Sequence, residues 1–423
     1  MISKKIFTFL FFYLLAISLM HYFSTTALAQ KGFKIEKKDG VIIVSNPKKP
    51  IPKNGLKKRI VFKEELSIGV IEGEENYMFG SRVEFNVDKE GNFYVSDFDN
   101  HRTQKYDPQG KYLLTIGRKG QGPGEFESLS RVQFNKESNF YIPDRISKRI
   151  SFFNRSGKLL KEISVSLQFG DLSINSEGLI LALNLERIHE ESGVKSLEKL
   201  TLFDNRFNPI KILNESEREP FVIISGGDIN DQIKIFANSI SKNVFSPNIS
   251  YLIDNDDLIY FGYPERYKIN IFSPEGKCRK IISRNYDPIS VSRKDKAIVL
   301  KSYNEDPYFI STFPEKIRGK ILNAVKFPKY KPAYQFFTLM ENGWLFIVVD
   351  SIENEYALID LFDKEGRYIV QFKTDVPTSN LFFKNGKAYT VAEEEGFPVV
   401  KRYAIELQEY KNGKWAKSNI KLY

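Results

Sequence analysis

Gly91-Asn92-Phe93-Tyr94-Val95-Ser96-Asp97, then His101-Arg102-Thr103-Gln104-Lys105-Tyr106-Asp107, then Gly110-Lys111-Tyr112-Leu113 is the stretch that decides the fold. It reads as a strand, a polar turn, a second strand, a turn at glycine and a third strand. The same order returns at Asn139-Phe140-Tyr141-Ile142-Pro143-Asp144, Lys148-Arg149-Ile150-Ser151-Phe152-Phe153-Asn154 and Gly157-Lys158-Leu159-Leu160. A repeat of antiparallel strands at roughly 45 residues predicts the blades of a β-propeller.

The end of the third strand can be followed along the chain. Tyr106-Asp107 precedes Gly110, Phe153-Asn154 precedes Gly157, Phe272-Ser273 precedes Gly276 and Phe362-Asp363 precedes Gly366. Phe203-Asp204 precedes a glycine-free turn at Asn208-Pro209. Gly, Asn and Asp recur because a tight hairpin needs positive φ at low cost. A sixth copy, Asn380 to Ala404, lacks its outer strand. Lys58 to Gly69 reads as that strand, out of order, since it ends in Ile68-Gly69 as the first blade ends in Ile116-Gly117. The expected fold is therefore all-β: a six-bladed β-propeller closed by N- and C-terminal strands, which removes a free sheet edge. The blades span 57–423, preceded by an extension at 30–56.

Two segments break the period. Glu186 to Lys199 reads as a longer hairpin tip. The larger break, 286–334, predicts a partly helical insertion, with helices over Val291 to Tyr303 and Pro314 to Val325 and an extended linker from Phe327 to Pro332. Between Asn214 and Asn248, strands are expected at Phe221 to Ser225 and at Ile233 to Asn238.

The N-terminus reads as a signal peptide over residues 1–29. Lys4 and Lys5 precede an apolar run from Ile6 to Met20, and Ala27-Leu28-Ala29 is a small-residue cleavage site. The expected location is periplasmic or secreted, with membrane contact only if the leader stays uncleaved. The lone Cys278 rules out an intramolecular disulfide. Without Lys4 and Lys5 the formal charge falls from +10 to +8, which favours anionic partners and also serves solubility. No nucleic-acid-binding motif is present.

Asn100 to Asp107 and the connection Gly117-Arg118-Lys119-Gly120-Gln121-Gly122-Pro123-Gly124-Glu125-Phe126 resemble the NHL-type repeat of six-bladed β-propellers, best over Arg82 to Val165. Blades three to six lack the Gly-Pro-Gly connection. The resemblance is to exported bacterial propellers that mostly bind or scaffold, while some related propellers are metal-dependent lyases or lactonases.

Tests for chemistry assign no catalytic residue and no metal ligand. Gly122 and Gly124 lie in a glycine-rich loop without the Gly-Lys-Ser/Thr and helix of a phosphate cradle, so they read as an inter-blade turn. Beyond His21 in the leader, only His101 and His189 remain, too few for a histidine-rich zinc site. Asp97 and Asp144 each precede an arginine by five residues, Arg102 and Arg149, and His101 lies in the same repeat element. Such a pair predicts either a polar bridge across the turn or a charged rim. Glu393-Glu394-Glu395 at the matching turn of the last blade offers oxygen ligands to calcium or forms a solvated loop. No cofactor is assigned, and calcium stands ahead of zinc in the metal-dependent alternative.

The binding candidates are loop cations, Arg118, Lys119, Arg145, Lys148 and Arg149, together with Tyr308, Arg318 and Tyr330 of the insertion. Mixed aromatic and basic side chains either clasp the insertion to the propeller or recognise a protein, peptide or anionic glycan through loops on one face.

Overall fold

The computed structural model describes residues 32–418 apart from 51–57, 136–138, 166–168, 191–192, 219–227, 353–355, 379 and 412. The leader and the strand expected at 221–225 lie outside the described residues. The chain begins with a hairpin, β1 (Lys34–Lys38) and β2 (Val41–Asn46), followed by β3 (Lys58–Ile68). Six antiparallel sheets follow, their strands ordered from the channel outward and termed a to d.

Blade 1 is β4 (Val83–Val87), β5 (Phe93–Asp97), β6 (Arg102–Tyr106) and β7 (Tyr112–Ile116). Blade 2 is β8 (Gln133–Phe134), β9 (Phe140–Asp144), β10 (Arg149–Phe153) and β11 (Leu159–Ser164). Blade 3 has a long central hairpin: β12 (Phe169–Ile174), β13 (Ile180–Glu190), β14 (Gly193–Phe203) and β15 (Pro209–Arg218). Helix α1 (Ile229–Asn243) then leads into blade 4: β16 (Ser250–Ile253), β17 (Ile259–Gly262), β18 (Lys268–Phe272) and β19 (Cys278–Arg284). Three helices, α2 (Arg293–Glu305), α3 (Pro307–Thr312) and α4 (Glu315–Asn323), separate it from blade 5: β20 (Phe336–Leu339), β21 (Leu345–Ile352), β22 (Tyr356–Phe362) and β23 (Tyr368–Thr374). Blade 6 is β24 (Phe382–Lys384), β25 (Lys387–Glu394), β26 (Phe397–Lys411) and, as its outer strand, β3; β27 (Lys414–Lys417) folds back on the far end of β26.

Second strands such as β5, β9, β17 and β21 carry unbroken apolar runs because both faces of a blade are buried. In β5, Phe93 and Val95 enter the layer shared with blade 6, while Tyr94 enters the layer shared with blade 2. In β21, Leu345, Ile347 and Val349 face blade 4, while Phe346 and Val348 face blade 6. Every adjacent pair of blades, the sixth with the first included, has such an apolar layer. An open stack would lack the last of these, so the ring is closed. The closure pairs β3 with β26 from Ile68↔Val400 to Lys58↔Glu409.

Four of the third-strand turns share one geometry. An Asp or Asn accepts the N–H groups two and four residues on, as Asp107, Asn154, Asp204 and Asp363 do. The residue between them has positive φ: Gly110, Gly157, Gly366 and, in the glycine-free turn, Phe207 at 63°.

One expectation is corrected. Ile233 to Asn238 is not a strand but part of α1, with Asp228 as N-cap and Ile233, Ala237 and Ile240 on its buried side. That spacing of four and three is helical. The extension at 30–56 also holds structure: β2 lies parallel to β19 and widens blade 4 to six strands. Asn46 then reaches blade 5, donating to the carbonyl of Gly366 (2.8 Å) and accepting from the N–H of Tyr368 (2.8 Å).

Candidate functional site

Antiparallel strands put the a–b and c–d turns on one face of the ring and the b–c turns and d–a connections on the other. The residues singled out in the sequence fall on the second face, but in different sectors. Arg118 and Lys119 lie in the connection from blade 1 to blade 2, and Arg145, Lys148 and Arg149 at the b–c turn of blade 2. Tyr308, Arg318 and Tyr330 lie between blades 4 and 5, across the ring.

The blade 1 and blade 2 residues form a repeated clamp. Asp97 accepts from the N–H of Gly80 (3.1 Å), and Arg102 donates to the carbonyls of Glu75 and Met78 and reaches Asp97 at 3.3 Å. Asp144 accepts the N–H groups of Glu127, Ser128, Ile146 and Ser147. Arg149 donates to the carbonyls of Gln121, Gly122 and Glu125 and lies 3.6 Å from Glu162. The second blade thus departs from the expected Asp–Arg pairing, because each partner is taken up by the incoming connection. His101 and Lys148 hold matching left-handed positions in the two b–c turns.

The glycine-rich loop encloses its own anion. Glu125 accepts from the N–H of Gly122 (2.8 Å) and from Arg118 (2.8 Å), and these bonds hold its carboxyl below the usual range. A Cβ at Gly120, where φ is +153°, would collide with that carboxylate. Arg118 and Arg149 are therefore tied into the loop, while Lys119, Arg145 and Lys148 are exposed.

The helices form a cap on this face. One core joins Ile233, Ala237, Ile240 and Val244 of the α1 region to Phe309, Phe313 and Ile321 of the insertion. The base of the insertion is pinned where the N–H of Val291 donates to Lys329 and that of Lys331 to Ile289. The buried Lys331 ammonium bridges Asp295 of α2 (2.7 Å) and Asp350 of β21 (2.9 Å). Arg318 donates to the carbonyl of Phe313 (3.0 Å), closing the end of α3.

The aromatic residues of the insertion then divide. Phe309, Phe313 and Tyr334 are buried. Tyr303 and Phe327 pack against the cap core. Tyr308 is 61% exposed and Tyr330 42%, and Ile298 and Ile310 also face water. Residues 291–331 hold ten Lys and Arg against four Asp and Glu, net +6 of the chain's +10.

Below the cap lies a group that the sequence reading missed. Asp360, fully buried in β22, accepts from Tyr267 (2.5 Å), Tyr368 (2.7 Å), Gln371 (2.9 Å) and Arg284 (2.5 Å). Burial pushes its carboxyl up, and Arg284 with the phenols opposes that. The signal was a lone acid between apolar neighbours, Leu358-Ile359-Asp360-Leu361-Phe362.

On the opposite face a cavity of about 400 Å3 marks the channel mouth, lined by a–b turn residues such as Asp88, Asn135, Asn175, Asp254, Glu341 and Lys384. Its carboxylates are committed: Asp88 to Asn92, Asp254 to the N–H groups of Asp256 and Leu258, and Glu341 to those of Asn385 and Gly386. Lys384 lies 5.2 Å over the Phe134 ring, and burial lowers its pKa. Glu394 is paired with Lys401 (2.5 Å) and Glu395 holds a left-handed turn position. Among the described residues, no group of three or more His, Cys, Asp or Glu converges on a metal site. Burial pushes the Cys278 thiol up.

The signature of a family described as DUF5128, a 6-bladed β-propeller, matches residues 81–270. No curated protein matches the chain. Among solved structures, a Bacteroides fragilis protein named as exported is 11% identical, with a TM-score of 0.48 and coverage of 87% of this chain and 100% of its own. A DUF4221 family member from Bacteroides vulgatus is 10% identical (TM-score 0.47, 84% and 99%). Virginiamycin B lyase from Staphylococcus aureus is 7% identical (TM-score 0.40, 82% and 99%).

Proposed function

We propose that the chain is an exported propeller that binds an acidic protein or peptide segment through its helical cap and does not transform it. Export rests on the basic, apolar and small-residue order of residues 1–29. One observation carries the binding reading. The cap fills its core with its own residues and still presents Tyr308, Ile310 and Tyr330 to water, amid a net charge of +6. Exposed tyrosines beside lysines contribute rigid contact area and steer anionic partners. Tyr330 already lies under a cation, Lys329, at 5.0 Å.

The test uses immobilised full-length protein, a panel of acidic and basic peptides of equal length, and a polyuronate as the glycan probe. Acidic peptides should bind, with affinity falling as salt rises. Tyr308→Ala/Tyr330→Ala should weaken binding about 10-fold, the loss of two modest contacts, without changing the melting temperature. Equal binding of acidic and basic peptides, or no effect of the double substitution, would refute the reading. Preference for the polyuronate would move it to a glycan.

A further inference from the structure

Between blades 4 and 5, at the foot of the insertion, a cavity of about 270 Å3 opens on the same face as the cap. Its apolar walls come from three places: Ile289, Pro332 and Ala333 at the two ends of the insertion, and Val349 and Leu358 of blade 5. Its polar groups are dominated by donors, Arg284, Lys48, Lys49 and Tyr286, with Asp287 and Gln371 beside them.

Arg284 is a built feature of this wall. Its side chain is 8% exposed. One Nη donates to Asp360 (2.5 Å) and the other to the carbonyl of Lys48 (2.9 Å). The guanidinium also packs against the rings of Tyr368 and Tyr267, with centroids at 4.4 and 5.2 Å. Its orientation is fixed before any ligand arrives, so little side-chain entropy remains to be lost on binding. Its Nε–H is closed off from water and has no acceptor among the described residues. A buried donor left without an acceptor is costly, so an acceptor that reached it from the cleft would remove that cost.

The remaining groups set the charge of that acceptor. Lys48 is neutralised by Asp287, and Arg284 by Asp360. Gln371 is already given to Asp360. Lys49 is exposed, and no ion pair takes up its charge among the described residues. Burial pushes the Tyr286 phenol up, so it stays a donor. The balance is one net positive charge, several donors and apolar walls. A singly charged carboxylate matches this, whereas a doubly charged phosphate would be left with an uncompensated charge.

We propose that this cleft binds a carboxylate carried on a small apolar body, from a free organic acid or from the C-terminus of a peptide ending in an aliphatic residue. The proposal stands independently of the cap reading, since none of its residues is among the exposed tyrosines.

Calorimetric titration of the full-length protein tests it with N-acetyl-leucine, N-acetyl-leucinamide, and a hexapeptide ending in leucine as free acid or amide. At least one free acid should bind, and its amide should be at least about 10-fold weaker, the scale of one lost charge-assisted contact. Ile289→Trp, which fills the cavity, should abolish binding. Lys49→Glu, an exposed substitution that leaves Arg284 and Asp360 in place, should weaken it about 5- to 10-fold with the melting temperature unchanged. Tyr308→Ala should leave it unaltered, which separates this site from the cap. Binding of the peptide acid alone assigns the site to peptide ends; equal binding of both acids assigns it to small acids. Equal affinity for acid and amide, no binding by either acid, or indifference to both Ile289→Trp and Lys49→Glu would overturn the proposal.

Discussion

Glu409→Gln tests the ring closure where it is most exposed to failure. Lys58 and Glu409 are the outermost pair of the β3–β26 ladder, 351 residues apart in sequence, with Nζ and Oε1 2.7 Å apart. Their side chains are only 5% and 8% exposed. Glu409 also meets Lys411 (2.5 Å) and the hydroxyl of Ser418 (2.9 Å). Lys411 and then Lys58 hold its carboxyl down to about 2, against an ordinary 4.5. At ~1.4 kcal/mol per pH unit, that gap sets a ceiling of about 3.4 kcal/mol. Lys411 is 43% exposed, so solvent screening applies, and about 1–2 kcal/mol should be realised. The pKa is depressed in the folded chain, so the stabilisation is full above pH 4.5 and is lost as pH falls towards 2. Urea unfolding of both proteins should show Glu409→Gln less stable by about 1–2 kcal/mol at pH 7, with the difference closing near pH 2. A difference that persists at pH 2, or none at pH 7, would refute the argument that these termini share one blade and one ion pair.

Gly262→Ala should cost about 2–3 kcal/mol, because the new Cβ meets the Tyr334 hydroxyl and the Phe337 ring. Adding Tyr334→Phe should return part of that loss, read from the urea midpoint. Arg149→Met should destabilise by about 2–3 kcal/mol and speed amide exchange at residues 121–126, while Arg102→Met does the same at 75–78; exchange that spreads evenly over blades 1 and 2 would show that the clamp is not local. Asp360→Ala should cost about 3–5 kcal/mol by stranding Arg284, and near-ultraviolet circular dichroism should change as Tyr267 and Tyr368 lose their acceptor.

The propeller was legible because its signals are local and repeated. A residue at positive φ a few positions after an aromatic, glycine in four blades and Phe207 in the third, marks the end of the third strand, and an apolar run in the second strand marks a blade buried on both faces. Closure was legible from a strand lacking at one end and spare at the other. What resisted reading depends on distance in sequence. The Val41-Ile42-Ile43-Val44 run has β character, but nothing local says that it lies parallel to β19. Asp97–Arg102 and Asp144–Arg149 have one spacing, yet only the first pair meets, because the connections entering the two blades present different partners. Asp360 and Arg284 are 76 residues apart and come from neighbouring blades. The helix at Ile233 to Asn238 was missed through a wrong period, its buried positions falling four and three apart.

The position of the cap follows from the ring itself. Most a–b and c–d turns are short and pinned by a side chain to the nearby backbone, as by Asp88, Asp107, Asn175 and Asp254, so length can be added most freely in the d–a connections, where backbone pairing is already interrupted. Two adjacent connections, from blade 3 to 4 and from blade 4 to 5, both carry helices, and adjacency lets them share one core. Neither could bury its apolar side alone: α1 is a single helix whose Ile233, Ala237 and Ile240 need Phe309, Phe313 and Ile321. Excising residues 286–334 would therefore uncover α1 and confuse lost binding with lost packing. Substitutions confined to the exposed positions, Tyr308 and Tyr330, separate the two. Binding that survives them in a cap that still melts normally would place recognition elsewhere on the ring.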